Sequence, residues 1–260
     1  MRRGPAGGGR PGAEPARPAR GEVAPVLGAL SFLTVVGPGR APDRRAMAWF
    51  PIVGAAVGLV LAGVLRGAVE LWDPVVAGAL VVVADLAVTG MLHVDGLADC
   101  ADGLLPHMDR PRRLQVMGEP DVGSFAVAVV ALTLMLRWAT LMSLAAGESG
   151  YLSLVGLWAG SRTLAAVVPS LVDYARPGGI ATPFLAGSRR WLLLWLAPAA
   201  ALLYIDDGLG GLVAIGVLVV SAASVVALAV RRIGGFTGDV LGAAIVVGET
   251  CALLALVARW

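Results

Sequence analysis

Long apolar stretches alternate with short polar connections along this 260-residue chain. A helix needs about 20 apolar residues to cross the hydrocarbon layer of a bilayer. Seven stretches approach that length, at 48–65, 75–92, 123–146, 151–172, 191–205, 209–230 and 238–258. A further apolar run, 24–36, is too short to cross and ends at Gly37-Pro38-Gly39, so it predicts a re-entrant or interfacial segment. Residues 1–22 are mostly Gly, Pro, Ala and Arg with almost nothing to bury, which predicts a disordered basic tail rather than a secretory signal. The expectation is an all-α fold: a polytopic integral membrane bundle of about seven transmembrane helices, with residues 23–260 forming one catalytic domain. Small residues at close spacing, such as Gly54, Gly58 and Gly63, would let helices pack closely in lipid.

Composition supports this reading. The chain is 58% hydrophobic and 15% charged, with a mean hydropathy of +0.82, values that belong to a membrane protein. Every basic residue is arginine, and a net charge of +2 is too small to suggest nucleic acid as a partner. Position matters more. Counting loops alternately, one side receives Arg40, Arg44, Arg45, Arg110, Arg112, Arg113, Arg176, Arg189, Arg190, Arg231 and Arg232. The other receives mainly Asp73, Glu148, Asp206 and Asp207, with Arg66 and Arg259 as exceptions. By the positive-inside bias the arginine-rich side faces the cytoplasm, the bilayer being the cell membrane. Cys100 and Cys251 match no metal or redox spacing. Four charges fall inside apolar stretches. Asp85 and Arg137 can meet across neighbouring helices, while Arg162 and Glu249 are better candidates for a site near the cytoplasmic loops.

The candidate chemistry is concentrated between His93 and Asp121. Asp95, Asp99 and Asp102 follow one another at steps of four and three, so a helix would stack them on one face. Like charges so placed repel unless a cation sits among them. Oxygen-only ligands favour Mg²⁺, Mn²⁺ or Ca²⁺, and Mg²⁺ commonly combines one or two carboxylates with substrate phosphates. Arg110, Arg112 and Arg113 are suited to gripping phosphate oxygens. His93 would serve as a base or orient Asp95, and His107 reads as a surface residue. A Gly-rich turn further on, with Gly235, Thr237, Gly238 and Asp239, has the chemistry of a phosphate cradle at a helix start.

The run His93-Val94-Asp95-Gly96-Leu97-Ala98-Asp99-Cys100-Ala101-Asp102-Gly103 resembles the central motif of the cobalamin synthase family, the adenosylcobinamide-GDP ribazoletransferases. Phe32-Leu33-Thr34, Phe50-Pro51-Ile52-Val53-Gly54, Tyr174-Ala175-Arg176 and Gly234-Gly235-Phe236-Thr237-Gly238-Asp239 extend the likeness over nearly everything after the tail. The chain departs from pattern at Gly118, Glu119, Asp121 and Ala126, where Glu119 stands in for an aspartate. The resemblance implies a membrane transferase that joins adenosylcobinamide-GDP to α-ribazole or its 5′-phosphate, releasing GMP. On that reading Asp95, Asp99, Asp102 and Glu119 hold Mg²⁺, and His93, Asp95 and Asp239 are catalytic. Arg112, Arg113 and Arg176 then hold the diphosphate with the glycine turn of Gly235, Thr237 and Gly238. Two rivals stay open: a CDP-alcohol phosphotransferase-like enzyme and a cation-coupled transporter without catalysis. The oligomeric state, a homo-oligomer included, is not read from the sequence.

Overall fold

The computed structural model describes residues 25–37, 45–147, 150–176 and 187–258. The expected basic tail, Arg40, Arg44, Glu148 and Arg259 lie outside the described residues. Among the described residues regular structure is helical, apart from one isolated bridge between Tyr174 and Phe236. In chain order the helices are α1 (Pro25–Leu33), α2 (Phe50–Val69), α3 (Pro74–Thr89), α4 (Leu92–Leu104) and α5 (Arg110–Val116). They continue with α6 (Ser124–Ala145), α7 (Tyr151–Val167), α8 (Leu196–Ile233) and α9 (Gly238–Leu256).

Among the described residues five segments are long and apolar enough to cross a membrane: Ala46–Val69, Ser124–Ala145, Tyr151–Ser170, Arg190–Ile233 and Gly238–Leu256. The chain is therefore a multi-pass membrane bundle. Joining α3 to α4 would add a sixth span, but the pair is bent by 90°. The expected seven is not reached on this measure, and the reasons are local. The α3 helix has only 16 residues, and Arg190–Ile233 counts once although its backbone breaks at Gly208, with φ 56° and ψ −130°. A Cβ on Gly211 would lie 2.2 Å from the Leu203 carbonyl oxygen. Eight residues of unbroken helix would separate those positions by about 12 Å. The two arms of α8 therefore fold back on each other as a hairpin, and Asp206 at its tip accepts a 2.8 Å hydrogen bond from the Ser153 backbone N–H at the start of α7.

Close packing follows from glycine where backbones touch. A Cβ on Gly54 or Gly58 would come 2.3 and 2.6 Å from carbonyl oxygens of α7, so α2 and α7 meet backbone to backbone. Gly63, expected to share this role, faces open space instead. The short α1, about 13 Å long by its nine residues, docks where α3 ends: the Val35 N–H donates to the Val88 carbonyl at 2.9 Å. Phe32 of the same segment stacks on Phe50 at 5.8 Å.

The in-span charges form one buried cluster. Arg137 reaches Asp85 at 2.5 Å and also pairs with Glu249, which in turn pairs with Arg162. Trp158 Nε1–H donates to Asp85 at 3.0 Å, and Ser161 donates to Glu249 at 2.7 Å. The pairing expected of Asp85 and Arg137 is present. Arg162 and Glu249 belong to the same cluster and not to a loop-side site. Glu249 lies ten residues into α9 from Asp239, about 15 Å along the axis.

Candidate active site

The segment expected as a polar connection begins with the helix α4 and continues through α5. The direction of α4 is set at Gly90 and Met91, both in the left-handed region with φ near 60°. The Met91 N–H donates to the Leu86 carbonyl at 3.0 Å, closing α3 in a Schellman turn. The chain leaves at 90°, and α4 lies outside the five spanning segments, against the first turns of α6 and α9. Its inner face carries His93, Gly96, Leu97, Cys100, Ala101 and Leu104, all buried. Its outer stripe carries Asp95, Asp99 and Asp102.

Two glycines bring this stripe to α9. A Cβ on Gly96 would lie 2.8 Å from the Asp239 carbonyl oxygen, and one on Gly242 would lie 3.2 Å from His93 Cα. Asp239 follows Thr237, whose hydroxyl accepts from the Val240 N–H at 3.3 Å and donates to the Asp239 carboxylate at 3.1 Å. The turn before it is pinned to 173–175: the Ala175 N–H donates to the Phe236 carbonyl at 2.8 Å and the Phe236 N–H to that of Asp173 at 3.0 Å. This pairing aims Arg176 at the site, where its guanidinium stands 3.7 Å from the Asp239 carboxylate and donates to the Leu114 carbonyl at 3.1 Å.

A cavity of about 370 Å³ opens on this arrangement, lined by Asp95, Asp99, Asp102, Glu119, Asp121 and Asp239 together with Arg176. Two of these carboxylates already have other partners, Glu119 in Arg112 and Asp102 in backbone N–H groups, which leaves Asp95, Asp99, Asp121 and Asp239 crowded into the cavity with Arg176. Burial, and then the charges of Asp239 and Asp95, push the Asp99 carboxyl up to about 7, with Arg176 opposing. A second cavity of about 380 Å³, lined partly by apolar groups, shares Asp95, Arg176 and Asp239 with the first and holds His93.

The other expected residues fall in different places. Both Asp102 oxygens are engaged by backbone N–H groups at the start of α6, from Gly123 at 2.6 Å and Ala126 at 3.0 Å. Glu119 lines the cavity but is paired with Arg112 at 3.0 Å and accepts from Gln115 at 2.9 Å. Arg113 is buried and donates to the Gly103 and Leu104 carbonyls, closing the end of α4 rather than facing the cavity. Gly235 is pressed on Asp173, its Cβ position 2.3 Å from that carbonyl oxygen, whereas Gly238 lines the second cavity. Among the described residues no three His, Cys, Asp or Glu side chains are gathered closely enough to hold an ion by themselves. Sequence reasoning missed the crossing of Gly96 with Gly242 and the capping by Asp102, because neither leaves a local signal.

The crossing carries its own test. Alanine at Gly96 must push α4 off α9, since the clash is with backbone. Overpacking of this kind costs about 1–3 kcal/mol, and the expected result is a loss of activity of at least about tenfold with helical content retained. Full activity in Gly96→Ala would show that the spacing of Asp95 and Asp239 is not critical.

A family model described as cobalamin-5-phosphate synthase matches residues 25–257. The chain belongs to the cobalamin-5-phosphate synthase family. Its relatives include proteins from Chlorobium phaeovibrioides, 33% identical over 88% of this chain and 95% of the relative, and Pseudomonas aeruginosa, 34% over 89% and 96%. Another comes from Alkalilimnicola ehrlichii, 37% identical over 90% and 95%. Each is named adenosylcobinamide-GDP ribazoletransferase. No solved structure matches. In this cobalamin-5-phosphate synthase family member, the matched residues run from the start of α1 to just past the end of α9, so both cavities and the elements that build them lie within the family region.

Proposed function

We propose that the protein is a membrane-embedded adenosylcobinamide-GDP ribazoletransferase acting late in cobalamin biosynthesis. The observation that carries this reading is the carboxylate-lined cavity opposed by Arg176 at the start of α9, within the family region. A hydroxyl oxygen of the ribazole forms a bond to the phosphorus next to cobinamide. The bond from that phosphorus to the oxygen bridging to GMP breaks, and GMP departs with the electron pair. Such transfer is mainly positioning and neutralisation of charge.

The residues divide that work by location. Arg176, between the two cavities, holds the diphosphate. Asp239, fixed by Thr237 and Arg176 and open to both cavities, takes the hydroxyl proton. His93 lines the acceptor side and orients that hydroxyl. The donor set fits Mg²⁺: Asp95 and Asp99 supply hard oxygen ligands, with Asp102 and Glu119 at the edge already engaged elsewhere. When bound, Mg²⁺ supplies neutralisation of the diphosphate and of the leaving phosphate. Among the described residues no three such side chains close on a point, so an ion here would take its remaining ligands from substrate phosphates and water.

Orientation follows from charge. Arg45, Arg110, Arg112, Arg113, Arg176, Arg189, Arg190, Arg231 and Arg232 occur at the end of the bundle that holds the site, and Glu70, Asp73, Asp206 and Asp207 at the other, where Arg66, paired with Glu70, is the exception. The positive-inside bias then puts the site on the cytoplasmic side of the cell membrane. The test is release of GMP by purified protein in lipid nanodiscs. The expected result is release only when adenosylcobinamide-GDP, ribazole and Mg²⁺ are all present, with loss on chelation and recovery on adding Mg²⁺ back. Release without ribazole would overturn the transferase reading, and release unaffected by chelation would overturn the metal.

A further inference from the structure

We infer that the second cavity is the seat of the ribazole base, so that the ribazole hydroxyl approaches the phosphorus of adenosylcobinamide-GDP from a chamber separate from the one holding the diphosphate; this rests on the transferase reading above. The carboxylate cavity, where six acidic side chains and Arg176 share the lining with Ala98, Met117, Pro120, Val122 and Ala126, suits a diphosphate with its ion. The second cavity has the opposite character. Phe32, Leu33, Phe50, Leu92, Leu241 and Ile245 line most of it, and its polar groups include His93, Asp95, Tyr174, Arg176 and Asp239. A nucleoside whose base is an apolar fused aromatic ring has the same division, apolar at one end and hydroxyl-bearing at the other. A guanine base does not match the apolar end, because its amide and amino groups would be buried there without hydrogen-bond partners.

The aromatic content is specific. Phe32 and Phe50 are stacked at 5.8 Å with an interplanar angle of 18°, a pair that a planar base can extend. Tyr174 is held edge-on to Phe236 at 5.3 Å and stands on the same segment as Arg176. Asp95, Arg176 and Asp239 line both chambers. A base seated on the phenylalanines therefore directs its sugar toward the carboxylates where the hydroxyl must react. The base is common to ribazole and its 5′-phosphate, so the assignment holds for either acceptor.

Two variants test it in full-length protein in nanodiscs. Leu92 is 43% exposed, so Leu92→Trp intrudes on the chamber without burdening the core, and Phe32→Ala removes one face of the stack. For both, the KM for α-ribazole should rise about tenfold or more while that for adenosylcobinamide-GDP changes by less than about twofold. Calorimetric titration of α-ribazole alone should show binding to the wild-type protein and its loss in Leu92→Trp. Unchanged ribazole KM in both variants at normal thermal stability, a rise confined to the GDP substrate, or ribazole binding equal in wild type and Leu92→Trp would each overturn the assignment. Absent binding to the wild-type protein would count against it as well. If the wild-type protein binds ribazole but releases no GMP, the reaction reading fails while the seat stands, so the two failures are told apart.

Discussion

Asp99→Asn should lower ribazole transfer by about 10³-fold and at the same time raise the thermal midpoint of the metal-free protein. The first effect is of the size expected when one fixed electrostatic partner of a phosphoryl transfer is removed. The second follows from crowding. Asp99 is half-buried, and its burial together with Asp239, Asp95 and Asp102 makes the charged form costly. These causes push its carboxyl in the folded protein up to about 7 from the ordinary 3.8. A raised acid pKa means that ionised Asp99 opposes folding above that pH, and that this opposition fades as pH falls from about 7 toward 4. In chelator-treated protein the variant should therefore melt above wild type at pH 8, and the gap should shrink on acidification. Mg²⁺ with adenosylcobinamide-GDP should raise the midpoint of wild type only. Asp102→Asn gives the opposite sign. Its two oxygens each accept a backbone N–H at the start of α6, and an amide offers only one acceptor. The expected cost is that of a lost helix cap, about 1 kcal/mol. Scanning calorimetry of the two variants, one amide substitution apart on the same helix face, separates a carboxylate that serves the reaction from one that serves the fold. A lower midpoint for Asp99→Asn, or retained transfer, would falsify the assignment.

What the sequence disclosed follows the range of the interactions involved. The stripe of Asp95, Asp99 and Asp102 was legible because helical spacing is local, and so was the reversal near Gly208, where Asp206 and Asp207 interrupt an apolar run. Asp239 was legible as a candidate from its glycine-rich turn, and Arg176 from the family resemblance of Tyr174-Ala175-Arg176. Their meeting depends on the backbone pairing of 173–175 with Phe236, which no spacing reveals. Arg113 read as a phosphate ligand because arginines near aspartates advertise charge. Its direction is set by the carbonyls left open at the end of α4, and those exist only once α4 ends and the chain turns back. Asp121 drew notice only as a departure from pattern, yet it lines the cavity.

The same difference between charge and direction governs the buried cluster, where Glu249→Leu should be the most damaging single substitution in the bundle. Glu249 is the junction: one oxygen pairs with Arg137, and the other with Arg162 and Ser161. Removing it leaves Arg137 with Asp85, at 2.5 Å, and with Thr250 at 3.1 Å. Arg162 fares worse. It is 1% exposed, its Nε already lacks a partner, and Ser161 would be its remaining hydrogen-bond acceptor among the described contacts. Breaking a buried pair by deleting one partner costs about 3–5 kcal/mol, chiefly through the charge left behind, and lipid offers no water to solvate it. The variant should fail to accumulate as folded protein, or should melt far below wild type in detergent. The double variant Arg162→Met with Glu249→Leu should recover most of that loss, because it leaves Arg137 and Asp85 as a balanced pair and fills the space with apolar groups. Neither changed residue lines the carboxylate cavity or the ribazole seat, so transfer should return with folding to within about tenfold of wild type. A double variant no more stable than Glu249→Leu alone would show that the cluster is held by packing around Trp158, which lies 5.4 Å from the Arg137 guanidinium and 6.0 Å from that of Arg162, and not by the balance of its charges.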